Sequence, residues 1–172
     1  MRTYFIDTSA LVKRYITESG SELVRDLCDP QVGNKIILAQ ITWVEMLSAF
    51  SRLKRESSLD ETNFTIVLQA FEYDWDTQYQ IVQFDRSLAK ESGELVKKHP
   101  LRAYDSVQLA SALKIHQIHA PAAPGLFSFV SADDRLLSVA RIEGLQVENP
   151  MEGQTTQNDT NDKMQLTQKT CG

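Results

Sequence analysis

Apolar positions along the chain follow two periods, and the switches between them mark the elements. The runs "TYFI" at 3–6, "KIILA" at 35–39, "YQIVQF" at 79–84, "LFSFVS" at 126–131 and "LQVE" at 145–148 are short and rich in β-branched and aromatic residues. They predict strands. Between them the apolar residues spread to helical spacing, in "SALVKRYI", "GSELVRDLC", "TWVEMLSAFSRLKRES", "LDETNFTIVLQAFEYDW", "RSLAKESGELVKKH", "AYDSVQLASALKIHQIH" and "DDRLLSVARIEG". His99-Pro100 stops the fifth of these helices, and a Pro/Ala/Gly loop fills 120–125. Strands separated by helices need crossover connections, so the expected fold is α/β, with a mainly parallel central sheet and helices on both faces.

From Met151 the periodicity stops. "MEGQTTQNDTNDKMQLTQKTCG" has almost nothing to bury, so 1–150 is read as one domain and 151–172 as a disordered polar tail. No apolar run approaches the roughly 20 residues that cross a bilayer. The N-terminus lacks the basic-then-apolar layout of a signal peptide, and a cytoplasmic protein is expected. Cys28 and Cys171 lie far apart, which argues against a structural disulfide or a zinc site. The net charge of −5 changes the picture most, because a nucleic-acid binder usually advertises a basic surface.

Four acids stand at one kind of place. Asp7 follows "TYFI", Asp133 follows "LFSFVSA", Glu45 opens the helix after "KIILA", and Asp105 opens "AYDSVQLASAL". In an open α/β sheet ligands bind beyond the carboxyl ends of the strands. Each acid also fits a helix cap: Thr42-x-x-Glu45 matches a capping box, Ser131-x-x-Asp134 resembles one, and Asp105 suits its own helix start. Caps scatter around a domain, however, whereas these four converge if the sheet is parallel. Asp7 is the sharpest case, since Thr8 or Ser9 can cap the first helix without it. Carboxylates held together resist joint ionisation, and a hard dication, Mg²⁺ or Mn²⁺, relieves that repulsion. The histidines His99, His116 and His119 fall away from these positions, and His116 and His119, at the end of a helix, read as surface or capping groups.

In order, the pieces are Asp7-Thr8-Ser9, Glu45-Met46-Leu47-Ser48-Ala49, Tyr104-Asp105-Ser106-Val107-Gln108-Leu109-Ala110 and Ser131-Ala132-Asp133-Asp134-Arg135-Leu136. This series resembles the PIN-domain family, and within it the VapC-type toxin ribonucleases, over about residues 1–150. The resemblance implies a three-layer α/β/α sandwich that holds Mg²⁺ or Mn²⁺. Asp7, Glu45, Asp105 and Asp133 match the family's acidic quartet as catalytic and metal-binding residues. Ser131 matches its hydroxyl before the last acid, and Thr8 or Ser9 its hydroxyl after the first. Asp133 is preferred to Asp134 for the site because Asp134 is the better placed to cap. Two features depart from the pattern: Ala132 replaces a polar residue often found there, and "HAPAAPG" is a longer loop than usual.

The implied reaction is hydrolysis of RNA phosphodiester bonds by metal-activated water, leaving a 5′-phosphate and a 3′-hydroxyl. Implied partners are an RNA substrate, a cognate antitoxin and a second copy of the chain. Candidate RNA contacts are Lys13, Arg14, Arg102 and Arg135, with Lys97 and Lys98 behind them, while Arg52, Lys54 and Arg55 read as an exposed helix end. The stripe Phe64, Val67, Leu68, Phe71 and Trp75 reads as core, or as a dimer or antitoxin face. A catalytically silent RNA- or protein-binding module of the same fold is the alternative. A phosphatase with a second acid two residues after the first is disfavoured, because that position is Ser9.

Overall fold

The computed structural model describes residues 1–119 and 125–152, without the side chain of His119. Along the chain run β1 (Thr3–Ile6), α1 (Thr8–Tyr15), α2 (Ser21–Leu27), β2 (Lys35–Ala39), α3 (Thr42–Arg55) and α4 (Glu61–Thr77). After them come β3 (Gln80–Val82), α5 (Arg86–Lys98), α6 (Ala103–His119), β4 (Phe127–Val130), α7 (Asp134–Ile142) and β5 (Val147–Glu148). The apolar runs that predicted strands at 79–84, 126–131 and 145–148 pair over shorter spans, because their end residues turn into the adjoining loops. The tail from 153 and the loop at 120–124 lie outside the described residues, as does Cys171. Among the described residues no helix is long and apolar enough to cross a membrane.

The five strands form one sheet in the order β3-β2-β1-β4-β5, and every pairing is parallel. Alternate strand residues feed two cores. Phe5, Ile37, Phe127 and Phe129 meet Leu88 and Leu95 of α5, Leu109 of α6 and Leu136, Leu137 and Ala140 of α7. Tyr4, Ile6, Ile36 and Leu38 meet Leu11 of α1, Val24 and Leu27 of α2, Met46 and Phe50 of α3 and Phe71 of α4. With side chains alternating between faces, an apolar run becomes a strand covered on both sides. The result is a three-layer α/β/α sandwich.

The α4 stripe lies against the second core. Phe71 is fully buried, and Phe64, Val67 and Trp75 pack on the cluster from its edge. Phe71 is the hub, its ring centroid 5.4 Å from Trp43, 5.7 Å from both Tyr15 and Trp75, and 6.1 Å from Phe50. Beneath this cluster α1 is anchored by Arg14, whose Nη2 lies 2.9 Å from Asp74 Oδ2 of α4.

The route of the chain places the functional edge. It runs outward from β1 through β2 to β3, then returns to β4 on the other side of β1. A crevice opens where the order reverses, beyond the carboxyl ends of β1 and β4. Asp7 follows β1 there, its amide donating to the carbonyl of Val130 at the end of β4 (2.9 Å).

Behind that edge, the turn between α1 and α2 depends on Gly20. Its φ is +85°, and a Cβ added to it would stand 2.8 Å from the carbonyl oxygen of Pro150. Gly20→Ala therefore combines left-handed strain with a backbone clash, and should cost roughly 1–3 kcal/mol. The urea midpoint checks this; an unchanged midpoint would mean that the turn does not rest on Pro150.

Candidate active site

Asp7, Glu45, Asp105 and Asp133 all line one cleft of about 650 Å³ at this edge. Asp7 is 6% exposed and caps α1, with Oδ2 accepting from the amide of Ser9 (3.2 Å). The same oxygen accepts from the hydroxyls of Ser9 and Ser131. Glu45 does not close a capping box: the N-cap of α3 is Ile41, with no side-chain cap. Its Oε2 instead accepts from Thr8 Oγ1 at 2.7 Å and from Gln108 Nε2 at 2.7 Å. Asp105 Oδ2 takes only a long contact from the amide of Arg102, at 3.4 Å.

Three of the acids thus share a feature. Asp7, Glu45 and Asp105 each direct their protein contacts to one carboxylate oxygen, and among the described residues the other has no protein hydrogen bond. Burial raises the pKa of Asp7; hydrogen bonds from Ser9 and Ser131 work against the rise, and the charge of Asp105 adds to it. Burial likewise raises Glu45, opposed by Thr8 and Gln108 and reinforced by the charges of Asp7 and Asp105. Asp7 and Glu45 therefore each feel neighbouring carboxylate charge through a low-dielectric cleft.

Asp133 differs, and the capping expectation is corrected here. It is Asp133 that caps α7, its Oδ1 accepting from the amides of Arg135 (2.9 Å) and Leu136 (3.3 Å). Its Oδ2 pairs with Arg135 Nη2 at 3.3 Å. Burial acts to raise its pKa, but these contacts outweigh it and the carboxyl lies below its ordinary value. Asp134, expected to cap, instead accepts from Asn149 Nδ2 at 2.8 Å. Asp7 caps α1 as well, a task expected to fall to Thr8 or Ser9.

Capping does not explain the cluster, because Asp60 and Asp85 cap α4 and α5 and neither lines the cleft. As placed, the described residues contain no group of three or more His, Cys, Asp or Glu side chains arranged to hold a metal ion. The donors nevertheless suit a hard dication in kind: three carboxylates with an open oxygen apiece, and no thiolate or imidazole among the cleft-lining residues.

The expected basic rim is also redrawn. Lys13 is buried, with Nζ 2.9 Å from Glu18 Oε1. Arg14 turns inward, donating to the carbonyl of Cys28 (2.7 Å) and to Gln78 Oε1 (2.9 Å) besides its ion pair with Asp74. Both were expected to meet RNA; Lys13 instead pairs with the turn that follows α1, and Arg14 holds α1 to the domain. Arg102 does line the cleft, whereas Arg135, Lys97 and Lys98 do not, and each of these three pairs with an acid. Arg52 and Arg55, read as an exposed helix end, line the cleft. Gln108 was passed over too, although a polar residue three positions after Asp105 in an apolar run was the available signal; it is 1% exposed.

Residues 4–142 match the PIN domain family. The chain belongs to that family. Over 153 residues this PIN domain is 30% identical to ribonuclease VapC45 of Mycobacterium tuberculosis (strain CDC 1551 / Oshkosh), covering 86% of the chain and 95% of the relative. Ribonuclease VapC49 of the H37Rv strain matches to the same extent. Among solved structures, FitAcB from Neisseria gonorrhoeae superposes with a TM-score of 0.61 at 16% identity, over 87% of this chain and 99% of that one. VapBC2 from Rickettsia felis, bound to a DNA fragment from its promoter, gives 0.56 at 17% identity, over 86% and 98%. These structural likenesses concern the PIN fold; the 30% identity reaches the sequence itself.

Proposed function

We propose that this PIN domain is an endoribonuclease dependent on Mg²⁺ or Mn²⁺, and the toxin of a type II toxin–antitoxin pair. The observation that carries the reading is the set of three carboxylates, each with an open oxygen, gathered in the cleft at the topological switch point. Asp7 and Asp105 are the proposed ligands, and Asp133 adds negative charge at the far side. A divalent ion, when bound, supplies Lewis-acid polarisation of the phosphodiester and acidifies water. Glu45, held by Thr8 and Gln108, orients the attacking water through its open oxygen and accepts its proton. Ser9 and Ser131 fix the Asp7 carboxylate so that one oxygen faces the cleft. That the named relatives are ribonucleases supports RNA as the substrate and the cytoplasm as the place of action.

Two partners belong to the same reading. Complexes such as VapBC2 support a cognate antitoxin that covers the cleft. Ile66 and Tyr73, 56% and 69% exposed and both on α4, support a homodimer.

Incubation of the purified protein with single-stranded RNA in Mg²⁺, Mn²⁺ or EDTA tests the reaction. Cleavage is expected with either ion and not in EDTA. Cleavage in EDTA would overturn the metal requirement. RNA bound but uncut under all three conditions would favour the silent binding module, a reading to which the fully engaged Asp133 carboxylate lends some support.

A further inference from the structure

The floor of the cleft is acidic, and its walls are not. On one side the last turns of α3 present Arg52 and Arg55, three residues apart and so on one face of the helix. Lys54 between them points elsewhere, to Glu61 Oε2 (2.7 Å) and over the ring of Phe64 (4.6 Å). On the other side stand Arg102, in the turn before α6, and Tyr104 in its first turn. Among the described residues the side chains of Arg52, Arg55 and Arg102 make no hydrogen bond or ion pair, although five carboxylates, those of Asp7, Glu18, Glu45, Asp105 and Asp133, line the same cleft. Tyr104, next to Asp105, is 52% exposed, and among the described residues its hydroxyl has no hydrogen-bond partner.

Among the described residues, then, no polar partner within the fold occupies these four side chains. The acidic floor repels a phosphodiester chain, so a strand that crosses it must be held by cations at its edges. Arginine suits that task, because its planar fork meets two phosphate oxygens at once. An exposed ring beside the acids suits the other component of a nucleic acid, the flat base. A base offers that face only where it is unpaired.

We infer that Arg52 and Arg55 grip successive phosphates of the bound strand on one wall while Tyr104 stacks on an unpaired base on the other, which positions one phosphodiester over Asp7 and Asp105. Arg102 adds a further cation beside Tyr104. The inference deepens the ribonuclease reading and rests on it. It assigns substrate positioning to residues outside the acidic quartet, and it explains how a chain of net charge −5 takes a polyanion.

The test separates binding from cutting. Fluorescence anisotropy of a labelled twelve-nucleotide single-stranded RNA is measured against Asp7→Asn protein over a range of salt. Adding Arg52→Ala and Arg55→Ala together should weaken binding at least tenfold and reduce the slope of log affinity against log salt by about 1.4, two contacts at about 0.7 each. Tyr104→Ala should weaken binding about tenfold with no change in slope, and Tyr104→Phe should bind like the parent, because stacking uses the ring and not the hydroxyl. A slope unmoved by the arginine pair overturns the grip, and Tyr104→Phe as weak as Tyr104→Ala overturns the stacking. Thermal melts confirm that each variant is folded. Cleavage by the wild-type protein in Mn²⁺ is followed in parallel. Its absence counts against the ribonuclease reading, whereas intact cleavage with unmoved binding counts against this inference alone.

Discussion

Asp7→Asn is expected to abolish RNA cleavage and, in the same protein, to raise the melting temperature. On the proposed mechanism the substitution removes a charge that holds the divalent ion. An ion contributes several kcal/mol of transition-state stabilisation, so the rate should fall roughly 10³-fold. Stability should move the other way. The carboxylate is buried, its pKa is raised by that burial, and the charge of Asp105 adds to the strain. Asn is as good an N-cap and still offers an oxygen to Ser9 and Ser131. Removing the charge should gain about 1 kcal/mol, or ~2–4 °C in a domain of this size.

The pH dependence fixes the sign. A carboxyl with a raised native pKa binds its proton more tightly in the folded state than in the unfolded one. Its contribution to stability is fully present below the ordinary value of 3.8 and is lost as pH rises through the raised value. The advantage of the Asn variant should therefore be greatest at neutral pH and should shrink as pH falls through that window. Scanning calorimetry in EDTA, with and without added Mn²⁺, measures both halves. Added Mn²⁺ should narrow the gap by stabilising the wild-type protein alone. A variant that cuts at the parental rate, or melts lower at pH 7, would contradict the shared carboxylate cleft.

The second large effect concerns the buried anchor of α1. Asp74→Ala should cost about 3–5 kcal/mol, because it leaves the Arg14 guanidinium almost buried and without its counter-charge. The two side chains are only 16% and 14% exposed. The same substitution removes the acceptor for the Tyr15 hydroxyl, at 2.8 Å. Tyr15 and Tyr79 share a 2.6 Å contact, and burial pushes both phenols above their ordinary range, so neither supplies a compensating charge. Burial also pushes the nearby Cys28 thiol up to about 11, which leaves it unreactive at neutral pH. Replacing both partners with apolar residues, Arg14→Met with Asp74→Leu, should recover much of the loss. A denaturant double-mutant cycle reads the coupling directly. An Asp74→Ala loss below 0.5 kcal/mol would show that the pair is solvated, and would return Arg14 to the candidates for RNA contact.

Much of the site is legible from positions alone. Asp7 is the residue after a four-residue strand, and Asp133 follows another, so a parallel sheet brings both to one edge whatever their rotamers. Rotamer and partner are another matter. Thr42-x-x-Glu45 has the spacing of a capping box, yet Glu45 turns across to Thr8 and Gln108, residues 37 and 63 positions distant in the chain. Asp133 and Asp134 differ by one position, and a helix start rotates adjacent side chains by about a quarter turn or more. Only the location of Asn149 settles that Asp134 turns away from the cleft.

The basic residues make the same point more strongly. Lys13 and Arg14 follow the first acid and look like a rim in the linear chain, but α1 packs against α2 and α4 so that this face is covered. Arg52 and Arg55 look like a solvated helix end, but α3 extends far enough from Glu45 to form a wall of the cleft. Short-range pattern determines strands, helices and their parallel order, because period and burial are local properties read every two or four residues. Which charges are buried, which oxygens stay open and which cations face the acids depends on packing between elements distant in the chain. That packing is set by the summed fit of two cores, and no single residue's neighbours in the chain encode it.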